Sequence, residues 1–507
     1  SLDWNNIDIS IEKKILKLLY YRDSRTCECW TLMCTRNCSN NLSSEDALEL
    51  LYPKIVNRRI RKYALTCLEC SSINELTCFI PFLVHHIQYE LHLCNENKEC
   101  LITGFLIKKM KINKTFALYL YWELVEQSQI YDYELINHYD YIKNLITDCH
   151  KIDITDTNNL INILISSQGN NNITQIRNKI SKSKCSLQNI PFPFTNNSVI
   201  DTSNLEIKNS ATKPILFEYH NNLHKKNKIL FKFEDVRKDK MIMNIIKLIN
   251  IILKNNGIHL NFVTYDIIPV TAETGFISIV PNSHTLYDVE NSDKFTLQNY
   301  IIEKNKNSNI STIRNNFIRS CAGCCIIGYL LGLGDRHLEN IMITDDGLLF
   351  HIDFSYILGE NPNNPKSLMI PEMVITTEMI NSMGGFKSIG YKKFKKLCSK
   401  AYNCLRRHSS ILISNLLMLN KLSPSIDNGR YTEVFITKQV IKRLCLGECY
   451  KEAELQYVTK IIKSSKSNRF VDFCHYHKKE TIDKVVNFVS NTVTNIYSFV
   501  RGSNHIE

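Results

Sequence analysis

The stretch "GDRHLEN" (Gly334–Asn340), followed after "IMITDDG" by "LLFHIDFSYILG" (Leu348–Gly359), places an acid, a base and an amide in one short loop. A second acid follows thirteen positions on, from 340 to 353. Asn340 and Asp353 are hard oxygen ligands of the kind Mg²⁺ takes alongside phosphate oxygens. Asp335 and His337, in the same loop, are candidates to take or orient the proton of an acceptor hydroxyl. Phosphoryl transfer needs this combination: metal ligands against oligophosphate charge, a cation on the phosphates and an orienting base, with little covalent chemistry from the protein.

Working upstream, "ILFKFED" (Ile229–Asp235) and "FISIVP" (Phe276–Pro281) are short β-type runs around a helical stretch, Lys240–Lys254, and predict a small α+β lobe. Lys232 lies in the first run, placed to hold a phosphate, and "VRKD" supplies Asp239 at the start of the next helix to orient it. A helix from about Ile313 to Leu331 leads into the loop, and a mostly helical C-terminal region follows. Two lobes with a seam near Val280–Asn282 are expected.

Further upstream the chain reads as helical hairpins from Ser43 to about Tyr131. "SSED" (Ser43–Asp46) offers Ser43 as an N-cap, Pro53 ends the short helix behind it, and "SINE" repeats the device with Ser72 and Glu75. Leu76, Phe79, Ile80, Leu83, Val84, Ile87 and Leu91 then fall at helical spacing and predict one apolar stripe. Helices are also expected at Leu101–Met110 and Phe116–Glu126, giving a solenoid-like domain. "DITDTNNLINILISSQGNNNITQ" (Asp153–Gln175), rich in Asn and Ser at its centre, is expected to be a linker or exposed loop.

Composition bounds what the chain can be. At 507 residues it exceeds what one core usually serves, and 44% hydrophobic with 22% charged residues is ordinary for a globular protein. Only 16 Gly and 11 Pro argue against collagenous or low-complexity architecture. A net charge of +12, spread along the chain, permits an anionic membrane or nucleic acid and selects neither. No apolar run reaches the ~18 residues of a membrane span; "MIMNIIKLINIIL" (Met241–Leu253) is broken by Asn244, Lys247 and Asn250. Nineteen cysteines without a secretory signal point to reduced thiols. With Ser1 in place of an initiator Met, the chain is expected to be a fragment with a domain or targeting signal upstream.

The run "RSCAGCCIIGYLLGLGDRHLENIMITDDGLLFHIDFSYILG" (Arg319–Gly359) closely resembles the catalytic core of the phosphatidylinositol 3-kinases. "NSATKPILFEY" (Asn209–Tyr219) is similar to their phosphate-binding loop, "FKFEDVRKD" (Phe231–Asp239) to their lysine strand and acidic turn, and "ISIVPNSHT" (Ile277–Thr285) to their hinge. Ser43–Glu69 resembles the family's accessory helical domain. The resemblance implies an α+β fold: a bilobal protein-kinase-like catalytic domain preceded by an α-helical accessory domain. It divides the chain into an accessory domain at 1–165, a linker at 166–190, an N-lobe at 191–282 and a C-lobe with C-terminal helices at 283–507. Carried over by residue, it makes Lys232 the ATP lysine, with Asp239 and Tyr265 as polar neighbours and Ser210 and Lys213 in the phosphate loop. Ser278, Ile279 and Val280 would hold adenine at the hinge, over a floor of Met342 and Ile352. Asp335 and His337 take the base or orienting role, and Asn340 and Asp353 ligate Mg²⁺ or Mn²⁺.

Two departures stand out. The family's Asp-Phe-Gly is "DFS" here, so Ser355 replaces a glycine whose φ freedom a β-carbon restricts. The turn Phe233–Asp235 is one residue shorter and lacks glycine. Between Asp353 and Pro371 the only basic residue is Lys366. Phosphorylated head groups require cations to hold them, so this favours unphosphorylated phosphatidylinositol, and the loop resembles class III.

The implied activity is transfer of the ATP γ-phosphate to phosphatidylinositol, at the 3-hydroxyl, by a cytoplasmic enzyme peripheral on membranes. A regulatory subunit, and no nucleic acid, is expected among its partners. Two alternatives stay open. Phosphatidylinositol 4-kinases usually carry Lys-Asp-Arg-His then Asn-Gly-Asn, where this loop has Gly334 and Leu338-Glu339; a catalytically weakened scaffold is the other. The related protein kinases share Gly-Asp-Arg-His but bring long solenoids and a characteristic C-terminal segment not visible here.

Other signals have plainer explanations. Cys27, Cys29, Cys34 and Cys38 lack paired Cys-x-x-Cys knuckles, and Cys67 and Cys70 stand at helical spacing, so core or loop thiols are expected. Cys321, Cys324 and Cys325 read as packing residues. His351 alternates with Asp353 along a presumed strand and is expected to orient the loop. Thr481–Gly502 predicts an amphipathic helix, packed on the large lobe or against a membrane.

Overall fold

Capping and apolar periodicity build the N-terminal helices. The structure, a computed structural model, describes residues 42–93, 100–130, 133–169, 172–183, 190–192, 195–208, 210, 212–220, 226–292, 296–362, 373–426 and 429–476. Helices α1 to α8 run Ser44–Glu49, Arg58–Glu69, Ile73–Leu93, Leu101–Ile112, Lys114–Gln127, Tyr133–His150, Thr155–Ile165 and Ile173–Lys182. Ser43 caps α1 by accepting from the Asp46 N–H. Before α3 the capping box closes: the Ser72 N–H donates to Glu75 Oε2 at 3.0 Å and the Glu75 N–H to Ser72 Oγ at 3.3 Å. Of the predicted stripe, Leu76, Phe79, Ile80, Leu83, Val84 and Ile87 are buried and Leu91 is half-buried. Pro81 sits inside α3, and the helix continues through it.

The described chain divides into two units. One comprises residues up to 256, 264–281 and 408–436; the other holds 257–263, 282–407 and the residues from 437 on. In the first, strands β1 to β6 (Ile190–Phe192, Thr195–Ile207, Ile215–His220, Lys226–Lys232, Ile267–Thr271 and Thr274–Ser278) form an antiparallel sheet in the order β1-β2-β3-β4-β6-β5. Helix α9 (Arg237–Asn255) packs on β5. Period-two alternation in β4 buries Ile229 and Phe231 and sends Lys232 to the other face.

The stretch expected to be a linker is largely helical. Leu160, Ile161 and Leu164 of α7 and Ile176 and Ile180 of α8 join the same buried cluster as Phe217, Phe231 and Phe276 of the sheet. Burial of that many aliphatic groups outweighs the Asn and Ser between them.

The second unit carries β7 to β9 (Ser283–Thr285, Ile341–Thr344 and Leu349–His351), the long helix α10 (Ile310–Leu331) and α11 (Ile389–Arg407), which packs along α10. Gly332, at φ +55°, ends α10 in the left-handed conformation that glycine adopts without strain. Tyr329, Tyr402 and Tyr457 pack together beneath, the last two stacked at 4.4 Å between ring centroids. Cys321 and Cys325 are buried in α10, and Cys324 is half-buried. In the accessory helices Cys67 is buried and Cys70 exposed. The cysteines from 27 to 38, Lys366 and Thr481–Gly502 lie outside the described residues. No helix among those described is long and apolar enough to cross a membrane.

One buried ion pair joins three accessory elements. Arg61 on α2 stands 3.4 Å from Glu90 on α3 and donates to Leu51 O at 2.9 Å, while Glu90 accepts from the Ile102 N–H at the start of α4. Glu90→Ala leaves the guanidinium buried and uncompensated. A loss of about 3–5 kcal/mol is expected, read as a lowered urea midpoint of unfolding.

Candidate active site

Of the residues expected at a nucleotide, Ser210, Lys213, Lys232, Asp239, Tyr265 and Ser278–Val280 lie in the first unit, and Met342 and Ile352 in the second. Lys232 ends β4, and its Nζ donates to Glu234 Oε1 at 2.5 Å, within the short turn before α9. Asp239 sits in the first turn of α9 and Tyr265, largely buried, just before β5. Ser278 ends β6, where its N–H donates to Asp266 O at 2.9 Å and its hydroxyl accepts from the Asp266 N–H at 2.8 Å. The Ile279 N–H is committed to Lys228 O at 3.0 Å, so Ile279 can offer adenine only its carbonyl and side chain; Val280 follows it. Ser210 and Lys213 share a turn between β2 and β3, the Lys213 N–H donating to Ser210 O at 3.1 Å. Lys213 has φ +49°.

A row of polar side chains on α5 holds these elements from behind, a feature the sequence reading missed. Tyr119 donates to Asp266 Oδ2 at 2.9 Å, and Lys247 of α9 donates to the other carboxylate oxygen at 2.6 Å. Lys240, one residue past Asp239, donates to Glu123 at 2.5 Å and to Glu126. Gln129 donates to Val270 O on β5 at 2.8 Å. Burial pushes the Glu126 carboxyl up to about 7, while pairing with two carboxylates outweighs burial and raises the pKa of Lys240. Spacings of four and three residues put 119, 123 and 126 on one face of α5, and Gln129 follows in the turn just past its end. That pattern was visible, but nothing in the sequence said which lysine would meet it.

The second unit carries the loop. Gly334 is sterically required, because a Cβ there would stand 1.8 Å from Glu360 O. Asp335 follows at φ +51°, and its N–H donates to Asn361 Oδ1 at 3.1 Å. Asn340 Nδ2 donates to Asp335 O at 2.9 Å and lies 3.1 Å from His337 Nε2. A carbonyl can only accept, so the amide nitrogen must face this way, and His337 Nε2 must present its lone pair to it. The imidazole proton therefore sits on Nδ1, 3.6 Å from Glu339 Oε2. With both amide hydrogens engaged, Asn340 Oδ1 is the atom it can offer a cation.

Asp353 does not continue the strand. β9 ends at His351, and Asp353 takes φ +59°, so alternation does not set its direction. The Ser355 N–H and hydroxyl both donate to Asp353 Oδ1, at 3.0 and 2.6 Å. Ser355 itself has no positive φ; the left-handed positions nearby are Asp353, Leu358 and Gly359. In this conformation the serine therefore meets no φ that would demand a glycine. Ile352 and Met342 are half-buried, Met342 on β8 opposite Phe350.

Arg336 ties the two motifs together. Buried to 3% exposure, it donates to Gly334 O at 2.7 Å, to Ile352 O at 2.7 Å, to Asn340 O at 3.4 Å and to Asp353 O. An amide oxygen and a carboxylate carried on backbone held this way fit a hard divalent cation.

A family model described as phosphatidylinositol 3- and 4-kinase matches residues 226–428, and one described as the phosphoinositide 3-kinase family accessory domain (PIK domain) matches 9–158. The chain belongs to the phosphatidylinositol 3- and 4-kinase family. It is similar to phosphatidylinositol 3-kinase pik3 of Schizosaccharomyces pombe, 28% identical over 463 residues, covering 84% of this chain and 56% of that protein. Phosphatidylinositol 3-kinase VPS34 of Candida glabrata is 29% identical over 425 residues, covering 78% and 46% of the two chains. Its namesake in Arabidopsis thaliana is 28% identical over 416 residues, covering 75% and 50%. The chain thus spans about half the length of the curated relatives it matches. The family is one of ATP-dependent lipid kinases.

Two outcomes follow from this geometry. Gly334→Ala must move the Glu360 backbone or the loop, and an ATP-turnover assay should show a fall of roughly a hundredfold or more. His351 is also testable. Its Nε2 donates to Cys324 O at 3.1 Å, and burial, with Arg336 second, pushes its pKa from 6.5 down to about 3. The unfolded chain takes a proton that the folded chain refuses, so stability is full above pH 6.5 and falls as pH drops toward 3. Thermal melts should show this slope flattened by up to about 1.4 kcal/mol per pH unit in His351→Gln.

Proposed function

We propose that the protein transfers the γ-phosphate of ATP to the inositol ring of phosphatidylinositol, at the 3-hydroxyl. The observation that carries the reading is the Arg336 clasp, which fastens the loop bearing Asp335, His337 and Asn340 to the turn bearing Asp353. A divalent cation, Mg²⁺ or Mn²⁺, held by Asn340 Oδ1 and the Asp353 carboxylate would neutralise charge on the ATP phosphates. Lys232 would pair with the α-phosphate, exchanging Glu234 for it. Ser210 and Lys213 would contact the β- and γ-phosphates. Tyr265, Asp239 and the Ser278–Val280 segment would line the base and ribose, and Met342 and Ile352 would supply the apolar contacts that the family resemblance implies.

Asp335 takes the proton of the attacking hydroxyl in this reading. Its carboxylate is partly exposed, and His337 Nε2, 3.9 Å from Asp335 Oδ2, is already satisfied by Asn340. His337 then fixes the amide that fixes the metal. Ring position 3 is supported by the names of the similar proteins, phosphatidylinositol 3-kinases, and by Gly334 and Leu338-Glu339 in the loop. Domain boundaries at 165, 190 and 282, a cytoplasmic site peripheral on membranes and a regulatory subunit belong to the same proposal.

A lipid-kinase assay on phosphatidylinositol and its monophosphates, with the product's ring position resolved by chromatography, tests it. A 3-phosphate product is expected; a 4-phosphate product, or none with either metal, overturns the assignment. Lys232→Ala and Asp353→Ala should each reduce turnover to background, and wild-type rates in both would reject the site.

A further inference from the structure

The second unit has an edge, among the described residues, where large apolar and cationic side chains face solvent together. After the turn at Gly384 and Gly385 (φ +101° and +90°), Ser388 starts α11: its hydroxyl donates to Met383 O at 3.0 Å and accepts from the Tyr391 N–H at 3.0 Å. This cap fixes which residues point outward. Tyr391, Phe394, Cys398, Ala401 and Leu405 are buried, whereas Ile389 is 85% exposed and Phe386, edge-on to Tyr391, is 42% exposed. Lys392, Lys396 and Lys400 are exposed and continue from Ile389 at intervals of three, four and four residues, one straight stripe along the helix.

Charge says what such an edge meets. From Phe386 to Arg407 the chain has six Lys, two Arg and no Asp or Glu. Lys393 turns inward to Asn315, Lys395 lies over the Tyr391 ring and Arg406 donates to backbone carbonyls, so the outward cations are Lys387, the stripe and Arg407 at the far end of the helix. A basic row with two large apolar side chains at one end matches the boundary of an anionic bilayer, where lysines meet head groups and Phe or Ile enters the acyl region. Nucleic acid would use the lysines and leave Ile389 in water.

We propose that Phe386, Ile389 and the Lys392, Lys396 and Lys400 stripe form a docking surface for an anionic phospholipid membrane. Its purpose rests on the lipid-kinase reading, since it would bring the catalytic unit to its substrate's surface; its existence does not. The surface is separate from every residue assigned to phosphoryl transfer.

The test is co-sedimentation of the full chain with phosphatidylcholine vesicles with and without phosphatidylserine. Wild-type protein should pellet with the anionic vesicles and weakly with the neutral ones. Each lysine contributes roughly fivefold at low salt, so Lys392→Ala, Lys396→Ala and Lys400→Ala combined should weaken binding on the order of a hundredfold and lose most of its salt dependence. Phe386→Ser with Ile389→Ser should weaken it roughly tenfold or more with the salt dependence kept. Both variants should phosphorylate a soluble short-chain phosphatidylinositol at the wild-type rate, which shows that they are folded. Undiminished vesicle binding in both variants, or equal wild-type binding to neutral vesicles, overturns the proposal. Absence of any lipid product would reject the kinase reading and leave the docking surface to stand on sedimentation alone.

Discussion

The catalytic unit depends on one buried guanidinium. Arg336 collects the carbonyls of Gly334, Asn340, Ile352 and Asp353, and those carbonyls flank two aspartates in the left-handed region, Asp335 and Asp353. Each such residue costs on the order of 1–3 kcal/mol and persists only where its surroundings over-determine it. A planar cation with several fixed donors can do this; an ammonium on a flexible stem cannot span the same carbonyls. The strain is thus localised where two acidic side chains must project from neighbouring turns. The neutral His351 belongs to the same balance, because burial and then the neighbouring Arg336 both disfavour a second cation there.

Much of this was legible in the sequence. The N-cap at Ser43, the capping box at Ser72, the apolar stripe of α3, the strand carrying Lys232 and the helix leading to "GDRHLEN" all rest on local sequence signals, which the chain obeys. Where tertiary contact decides, the letters were silent or misleading. The Asn-rich stretch after Asp153 reads as loop until the sheet supplies an apolar surface for Leu160, Leu164 and Ile176. His351 and Asp353 look like alternating strand residues, yet the strand stops between them and φ changes sign. Ser355 looks like a defect by comparison with glycine, and in the fold it is a hydrogen-bond donor to Asp353. Arg336 is the plainest omission: a charged residue between two chemically obvious ones was passed over, because its partners are backbone atoms that no side-chain pattern records.

Lys240 carries a consequence for how this protein can be divided. Its ammonium is largely buried, with the accessory helix α5 supplying both carboxylates that neutralise it, one residue from Asp239. Cutting the chain to a catalytic domain alone would strip both counter-charges from α9, at a cost typical of orphaned, largely buried ions. The accessory helices and the kinase sheet therefore form a single inherited piece. Recombination or truncation that separates them must also replace a lysine, so the boundary drawn between two domain families along the sequence is not a boundary at which the folded molecule comes apart.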